Sequence, residues 1–178
     1  MSLSPMHWLT GEMLRKFSSN QTMTLDIGCG RKQWHEWFQC PYVGIDVSKE
    51  SKADIFATGY SLPFKDNAFS LVTMFSVLEY IENDEEVLRE IYRVLKPKGK
   101  LLLISQNKRA TKANIKKDPA KAKLHKHTYT LRSIIKKLHK NRLRSILFKY
   151  PLLFGFGLYY HLTSVYFFTL SESKKDGI

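Results

Sequence analysis

Hydrophobic positions along the chain gather into short runs separated by polar or glycine-bearing turns. Thr22 to Ile27, Tyr42 to Val47, Ala53 to Thr58, Phe69 to Phe75 and Lys100 to Ser105 are apolar runs of strand length. Residues 9–18 and 31–39 read as helices or helical turns before and between the first of them. Strand alternating with helix in a chain of this size predicts a mostly parallel sheet covered on both faces, a doubly wound α/β fold.

The clearest helix is expected over Asp84 to Lys96, where Val87, Leu88, Ile91, Val94 and Leu95 recur on one face. Asn83 is expected to cap it and Glu86 to close a capping box, with Pro97 and Gly99 ending it. A second helix is expected over Thr130 to Lys140, with Leu131, Ile134, Ile135 and Leu138 on its buried side. Tyr150 to Leu170 is a run of 21 residues without Asp, Glu, Lys or Arg, long enough to span a bilayer. Pro151, Gly155, Gly157, His161, Thr163 and Ser164 interrupt it, so two antiparallel closing strands, Arg142 to Tyr150 and Ser164 to Glu172, are expected instead. Insertion of the aromatic stretch Phe154 to Tyr160 into a membrane surface is the alternative.

At 178 residues the chain suits one domain, and 43% hydrophobic with 25% charged residues marks a globular sequence rather than a disordered one. Within that single domain, 22–105 reads as a core, 106–129 as a basic loop, and 130–178 as a helix with closing strands. The net charge of +13 is concentrated: residues 106–149 hold fifteen Lys/Arg against one acid, Asp118. The rest is close to neutral, so the basic segment is where an anionic partner is expected. Cys29 and Cys40 have neither metal-ligand nor disulfide-framework spacing, and no metal is expected. The start, MSLSPMHWLTGEML, lacks a basic region followed by an apolar core. The expectation is a cytoplasmic protein, free or attached to a membrane surface.

Two motifs carry the chemistry. Thr24-Leu25-Asp26-Ile27-Gly28-Cys29-Gly30 is a strand ending in a glycine turn, where the backbone can approach a ligand closely. Tyr42-Val43-Gly44-Ile45-Asp46 is a second strand ending, some twenty residues later, in a carboxylate that can accept both hydroxyls of a ribose. Alone, the first is equally a tight turn and the second equally a helix cap.

With LPFKDNAFSLV, FSVLEYIENDEEVLREIYRVLKPKG and LLLIS following in order, residues 22–105 resemble the class I methyltransferases, in particular the branch that modifies small molecules. The resemblance implies S-adenosylmethionine as cofactor and a Rossmann-like, mixed seven-stranded sheet with an antiparallel last strand and helices on both faces. Position by position, it implies that Asp26 and the backbone of Gly28, Cys29 and Gly30 hold the amino-acid end of the cofactor. Asp46 takes the ribose hydroxyls, Val47 packs on the adenine, Thr58 and Gly59 flank it, and Phe75 and Ser76 line the methionine arm.

The sequence departs from the family pattern in several places. The glycine motif continues as Arg31-Lys32 where the family usually has a small residue and another glycine. Thr58 stands where aspartate is common, Ser70 where the family has the aspartate of an FD pair, and Tyr80 replaces a frequent histidine after Glu79. The longer GxGxxG of dinucleotide-dependent dehydrogenases is absent, since Gly30 is followed by Arg31-Lys32-Gln33.

Displacement at a sulfonium needs alignment and exclusion of water more than a nucleophile or a metal. No catalytic residue is assigned; Glu79, Tyr80, His127 and Tyr129 are candidates for a base. Ligands in open α/β sheets bind at the carboxyl ends of the strands, so the basic segment after Ser105 leaves the sheet on that side. A lid drawing in a small or lipid-linked, anionic acceptor is the favoured reading. RNA or an anionic membrane surface meeting residues 106–149, and a cofactor-binding protein without turnover, are the others.

Overall fold

The structure is a computed structural model that describes residues 5–19, 23–106, 108–147, 166–173 and 175. Helix α1 spans Pro5–Ser18, followed by strands β1 (Thr24–Ile27), β2 (Tyr42–Asp46), β3 (Ile55–Phe56) and β4 (Phe69–Phe75). Helix α2 (Asp84–Val94) then leads into β5 (Leu95–Gln106), α3 (Lys108–Lys117), α4 (Leu131–Lys140), β6 (Leu143–Leu147) and β7 (Tyr166–Ser173). Short 3-10 turns occupy His35–Trp37, Leu78–Tyr80 and Pro119–Lys123.

The seven strands form one sheet in the order β3-β2-β1-β4-β5-β7-β6. Strands β1 to β5 are mutually parallel and β7 runs antiparallel between β5 and β6. The mixed sheet and its antiparallel last strand are those expected from the sequence. The chain steps outward from β1 to β2 and β3, then returns to place β4 on β1's other side. This reversal opens a crevice at the carboxyl ends of β1 and β4.

Period-two alternation in the strands supplies both faces of the core. Leu25, Ile27, Val72, Met74, Leu101 and Leu103 pack with Val87, Leu88, Ile91 and Val94 of α2 and with Ile134 and Leu138 of α4. On the opposite face Leu71 and Leu102 pack with Met13, Leu14 and Phe17 of α1, with Trp34, Trp37, Phe38 and Phe75 beside them. Asp26, between Leu25 and Ile27, projects to the α1 side.

Several local expectations are revised. Ala53 to Thr58 keeps only Ile55–Phe56 as strand, and residues 31–39 form turns around one 3-10 turn instead of a regular helix. No capping box forms at α2: Asn83 makes no side-chain bond to the backbone there, and its Nδ2 instead donates to Glu86 Oε2 at 3.1 Å. Helix α2 ends at Val94 and the chain turns at once into β5, whose Leu95 pairs with Phe69 ahead of the LKPKG turn. The capping box appears at α4, where Thr130 Oγ1 accepts the Ser133 N–H and Ser133 Oγ accepts the Thr130 N–H, so serine takes the place usual for glutamate.

The expected basic loop is largely helical, formed by α3 and the turn Pro119–Lys123. Its alternating lysines and small residues favour a helix once the ends are pinned. The aromatic stretch Phe154 to Tyr160 lies outside the described residues, as do the end of the strand expected over Arg142 to Tyr150 and the start of that expected over Ser164 to Glu172. Among the described residues no helix is long and apolar enough to cross a membrane.

Candidate active site

A cleft of about 230 Å³ opens at the switch point, lined by Asp26, Gly28, Cys29, Gly30, Arg31, Gln33, Trp34 and Phe75. The glycine turn builds its floor. Gly28 has φ +73°, and a Cβ there would lie 2.2 Å from Val77 Cγ2, so both the backbone and the neighbouring loop demand glycine. Gly30 has φ +51° and open space beside it.

The turn's donors are used inside the chain. Gly28 N–H and Cys29 N–H both donate to Ile45 O, at 2.9 and 3.1 Å, and Gly30 N–H donates to Asp46 Oδ2 at 2.9 Å. Where the sequence suggested backbone groups for the amino-acid end of a cofactor, the turn therefore offers close approach, and the charged contacts fall to side chains. Asp46 also accepts the Ser48 N–H on Oδ1 at 2.9 Å. A carboxylate has about four acceptor positions, so two backbone bonds fix its orientation and leave capacity for two hydroxyls.

Asp26 is 3% exposed, and its Oδ1 accepts the Thr73 hydroxyl at 2.7 Å. Burial pushes its pKa up to about 6, with the Thr73 bond and Lys32 acting downward. Burial, followed by the charges of Asp26 and Asp46, pushes the Cys29 thiol up to about 11, so it stays neutral at pH 7. Trp34 meets Phe75 edge to face at 5.7 Å and stacks on His7 at 4.3 Å, giving the cleft an aromatic wall.

Neither Asp46 nor the remaining expected positions Val47, Thr58, Gly59 and Ser76 line this cleft. Val47, at the end of β2, is 69% exposed, an apolar surface without cover. Thr58 is exposed, and Gly59 packs against Val87, whose Cγ1 would be 3.1 Å from an added Cβ. Ser76 follows β4 with φ +54°, its N–H bonded to Ile104 O. Sequence reasoning missed Thr73, Trp34 and Arg31. Thr73 needed the β1–β4 register and Trp34 needed the packing of α1, whereas Arg31 was visible as a departure from the glycine motif.

None of the four candidate bases lines the cleft. Glu79 is fully buried with its pKa raised by that burial; Oε2 accepts the Ser105 hydroxyl at 3.0 Å and Oε1 has no hydrogen-bond partner among the described residues. Tyr80 is 39% exposed and leans on His125 at 4.6 Å. His127 Nε2 donates to Glu82 O at 2.8 Å, and Tyr129 donates to Asp84 Oδ2 at 2.5 Å. Lys137 Nζ takes the other Asp84 oxygen at 2.5 Å, making Tyr129 part of a structural network.

That network roots the basic segment. Lys108 N–H donates to Tyr129 O at 2.7 Å, closing the base of the excursion 108–129. The N–H groups of Lys126 and His127 donate to Glu79 O at 2.9 and 3.1 Å, tying its return to the turn after β4. Both roots are at the carboxyl ends of β4 and β5, the same end of the sheet as the cleft. Lys108, Lys112, Lys116, Lys117, Lys123 and Lys126 are exposed on it.

Comparison with known proteins agrees with this geometry. Residues 25–103 match the family described as methyltransferase domain. An uncharacterized protein of Methanocaldococcus jannaschii is 37% identical over 105 residues, covering 54% of this chain and 46% of that protein. A ubiquinone/menaquinone biosynthesis C-methyltransferase of Klebsiella pneumoniae is 42% identical over 109 residues, covering 56% of this chain and 40% of that protein. The chain thus spans about half the length of the curated relatives it matches. Among solved structures, the YcgJ protein of Bacillus subtilis superposes with a TM-score of 0.69 at 17% identity, over 96% of this chain and 100% of that one, which shows the shared fold. Its sheet order, its glycine turn with the two strand-end carboxylates, and the match of residues 25–103 to a methyltransferase domain agree with the resemblance to the class I S-adenosylmethionine-dependent methyltransferases read from the sequence.

Proposed function

We propose that the chain transfers a methyl group from S-adenosylmethionine to a small or lipid-linked acceptor carrying negative charge. The observation that carries this reading is the placing of a basic excursion, rooted at Glu79 and Tyr129, at the same end of the sheet as the cleft lined by Asp26 and the glycine turn.

The residues present fit the cofactor. Asp26 faces the cleft as a buried carboxylate suited to an ammonium, Asp46 is held ready for ribose hydroxyls, and Val47 offers an apolar surface to an adenine. Trp34 and Phe75 present aromatic rings, which attract a sulfonium cation. When bound, the cofactor supplies an electrophilic methyl with a neutral thioether as leaving group. The protein's part is to hold the acceptor in line and keep water out. Lysines of the excursion raise the local concentration of an anionic acceptor. Relatives named for menaquinone and ubiquinone biosynthesis support a small-molecule acceptor.

The test is a transfer assay with methyl-labelled S-adenosylmethionine, offered in parallel isoprenoid phosphates, anionic phospholipids, RNA and protein. Label in the organic or small-molecule fraction, with a rate that falls as salt is added, is the expected result. Label in RNA overturns the acceptor assignment. Absence of cofactor binding by folded protein overturns the enzymatic reading as a whole.

A further inference from the structure

The two basic residues that replace the small residue and glycine of the family motif have different fates. Lys32 adopts φ +56°, the left-handed conformation for which a glycine suits that place. Its ammonium turns away from the cleft to Asp54 Oδ1 at 2.5 Å, and lies 5.2 Å from the centre of the Tyr42 ring. Asp54 in turn accepts the Gly44 N–H at 2.7 Å, so Lys32 fastens the turn to β2 and the loop beyond it. Arg31 lines the cleft, is exposed, and makes no ion pair among the described residues.

Asp26 and Arg31 are the two lining residues that bear formal charge, since the Cys29 thiol stays protonated. An amino acid presents one ammonium and one carboxylate. Asp26 answers the first and repels the second. The N–H groups of Gly28, Cys29 and Gly30 are already engaged, since they donate to Ile45 and Asp46. A planar guanidinium is suited to bidentate recognition of a carboxylate, and the Gln33 side-chain amide beside it is a further donor.

We propose that Arg31 binds the α-carboxylate of the cofactor's methionine arm, as the counterpart of Asp26 on its ammonium. This rests on the reading of the cleft as an S-adenosylmethionine site. It makes Arg31 a specificity-determining residue that separates the complete cofactor from nucleosides and amines lacking the carboxylate.

The test is isothermal titration with three probes: S-adenosylmethionine, decarboxylated S-adenosylmethionine and 5′-methylthioadenosine. In the wild type the full cofactor binds tightest and loses most affinity on adding salt. Arg31→Ala is expected to weaken the full cofactor by roughly 10- to 50-fold, as for one charge-assisted pair, while changing the other two probes by less than about twofold. Arg31→Lys is expected to restore part of the loss. Equal weakening of all three probes, or no weakening of any, overturns the proposal and leaves the cofactor reading standing. Failure of the folded wild type to bind any of the three overturns the cofactor reading instead. Thermal melting of each variant, with Arg31 exposed, is expected to match the wild type.

Discussion

The Thr73 hydroxyl donates to Oδ1 of Asp26 at 2.7 Å, across the parallel pairing that sets the two residues opposite one another on β4 and β1. It is a neutral donor to a buried carboxylate, and it does not repay the loss of water, since burial still lifts the Asp26 pKa to about 6. The folded chain therefore holds this proton more tightly than the unfolded chain, where the value is near 3.8. The stability this group contributes is present below the lower value and lost as pH rises through the upper one. Asp26→Asn is expected to raise the melting temperature at pH 7 to 8, by the equivalent of about 1 to 3 kcal/mol, with the gain shrinking towards pH 4. Melting curves across that range, followed by circular dichroism, check it.

With Asp26 on the cofactor's ammonium, as proposed, cofactor binding is expected to depend on pH. A ligand ammonium favours the ionised carboxylate, so binding at pH 5 to 6 expels a proton from Asp26. Affinity for S-adenosylhomocysteine is expected to fall as pH drops below about 6, and titrations in buffers of different ionisation enthalpy should reveal the released proton. In Asp26→Asn both the affinity and this proton release are expected to be largely lost.

At Gly28 the fold and the site make one demand. Gly28→Ala combines positive φ with a Cβ placed against Val77, and is expected to cost about 2 to 4 kcal/mol. Adding Val77→Ala removes the clash but not the backbone strain, so the double variant should recover part of the loss in urea unfolding. Full recovery would show that the conformation itself is not strained.

Asp46→Ala removes the acceptor of both the Gly30 and Ser48 N–H groups, and with it the proposed ribose contact. S-adenosylhomocysteine binding is expected to weaken at least about 100-fold, since two ribose hydroxyls lose a charged acceptor. Circular dichroism separates this from unfolding.

Asp84 holds the root of the basic excursion through Tyr129 and Lys137. Asp84→Ala leaves a buried hydroxyl and a half-buried ammonium without their acceptor, at an expected cost of about 3 kcal/mol. Tyr129→Phe should cost about 1 to 2 kcal/mol. In both, trypsin is expected to cleave among residues 108–126 sooner than in the wild type; unchanged cleavage would detach the network from the excursion.

Much of the first half of the sheet was legible because its signals are local: LDIGCG and GIDVS each lie within one strand and its turn, and their spacing is that of two neighbouring parallel strands. The helices over 84–94 and 131–140 were legible through their period. What escaped depends on tertiary register. Thr73 reads as one polar residue in an apolar run until β4 pairs with β1, and Trp34 reads as an isolated aromatic until α1 packs beside it. The 106–129 segment read as a loop because its polarity hides a helix whose ends are pinned by bonds to Glu79 and Tyr129, made over distances no sequence window covers. Lys32 looked like a defect of the glycine motif, yet it holds Asp54 from the conformation a glycine would adopt.

The position of β7 has a consequence for how the chain is made. Gln106 pairs with Tyr166, about sixty residues later, and β6 joins the sheet through β7. A ribosome-bound chain that has not yet released Tyr166 presents one whole edge of β5 without its partner, and β6 has nowhere to dock. Synthesis therefore passes through an interval in which a long apolar strand edge is open to other nascent chains, and the basic segment, already translated by then, adds charge repulsion between such chains during that interval.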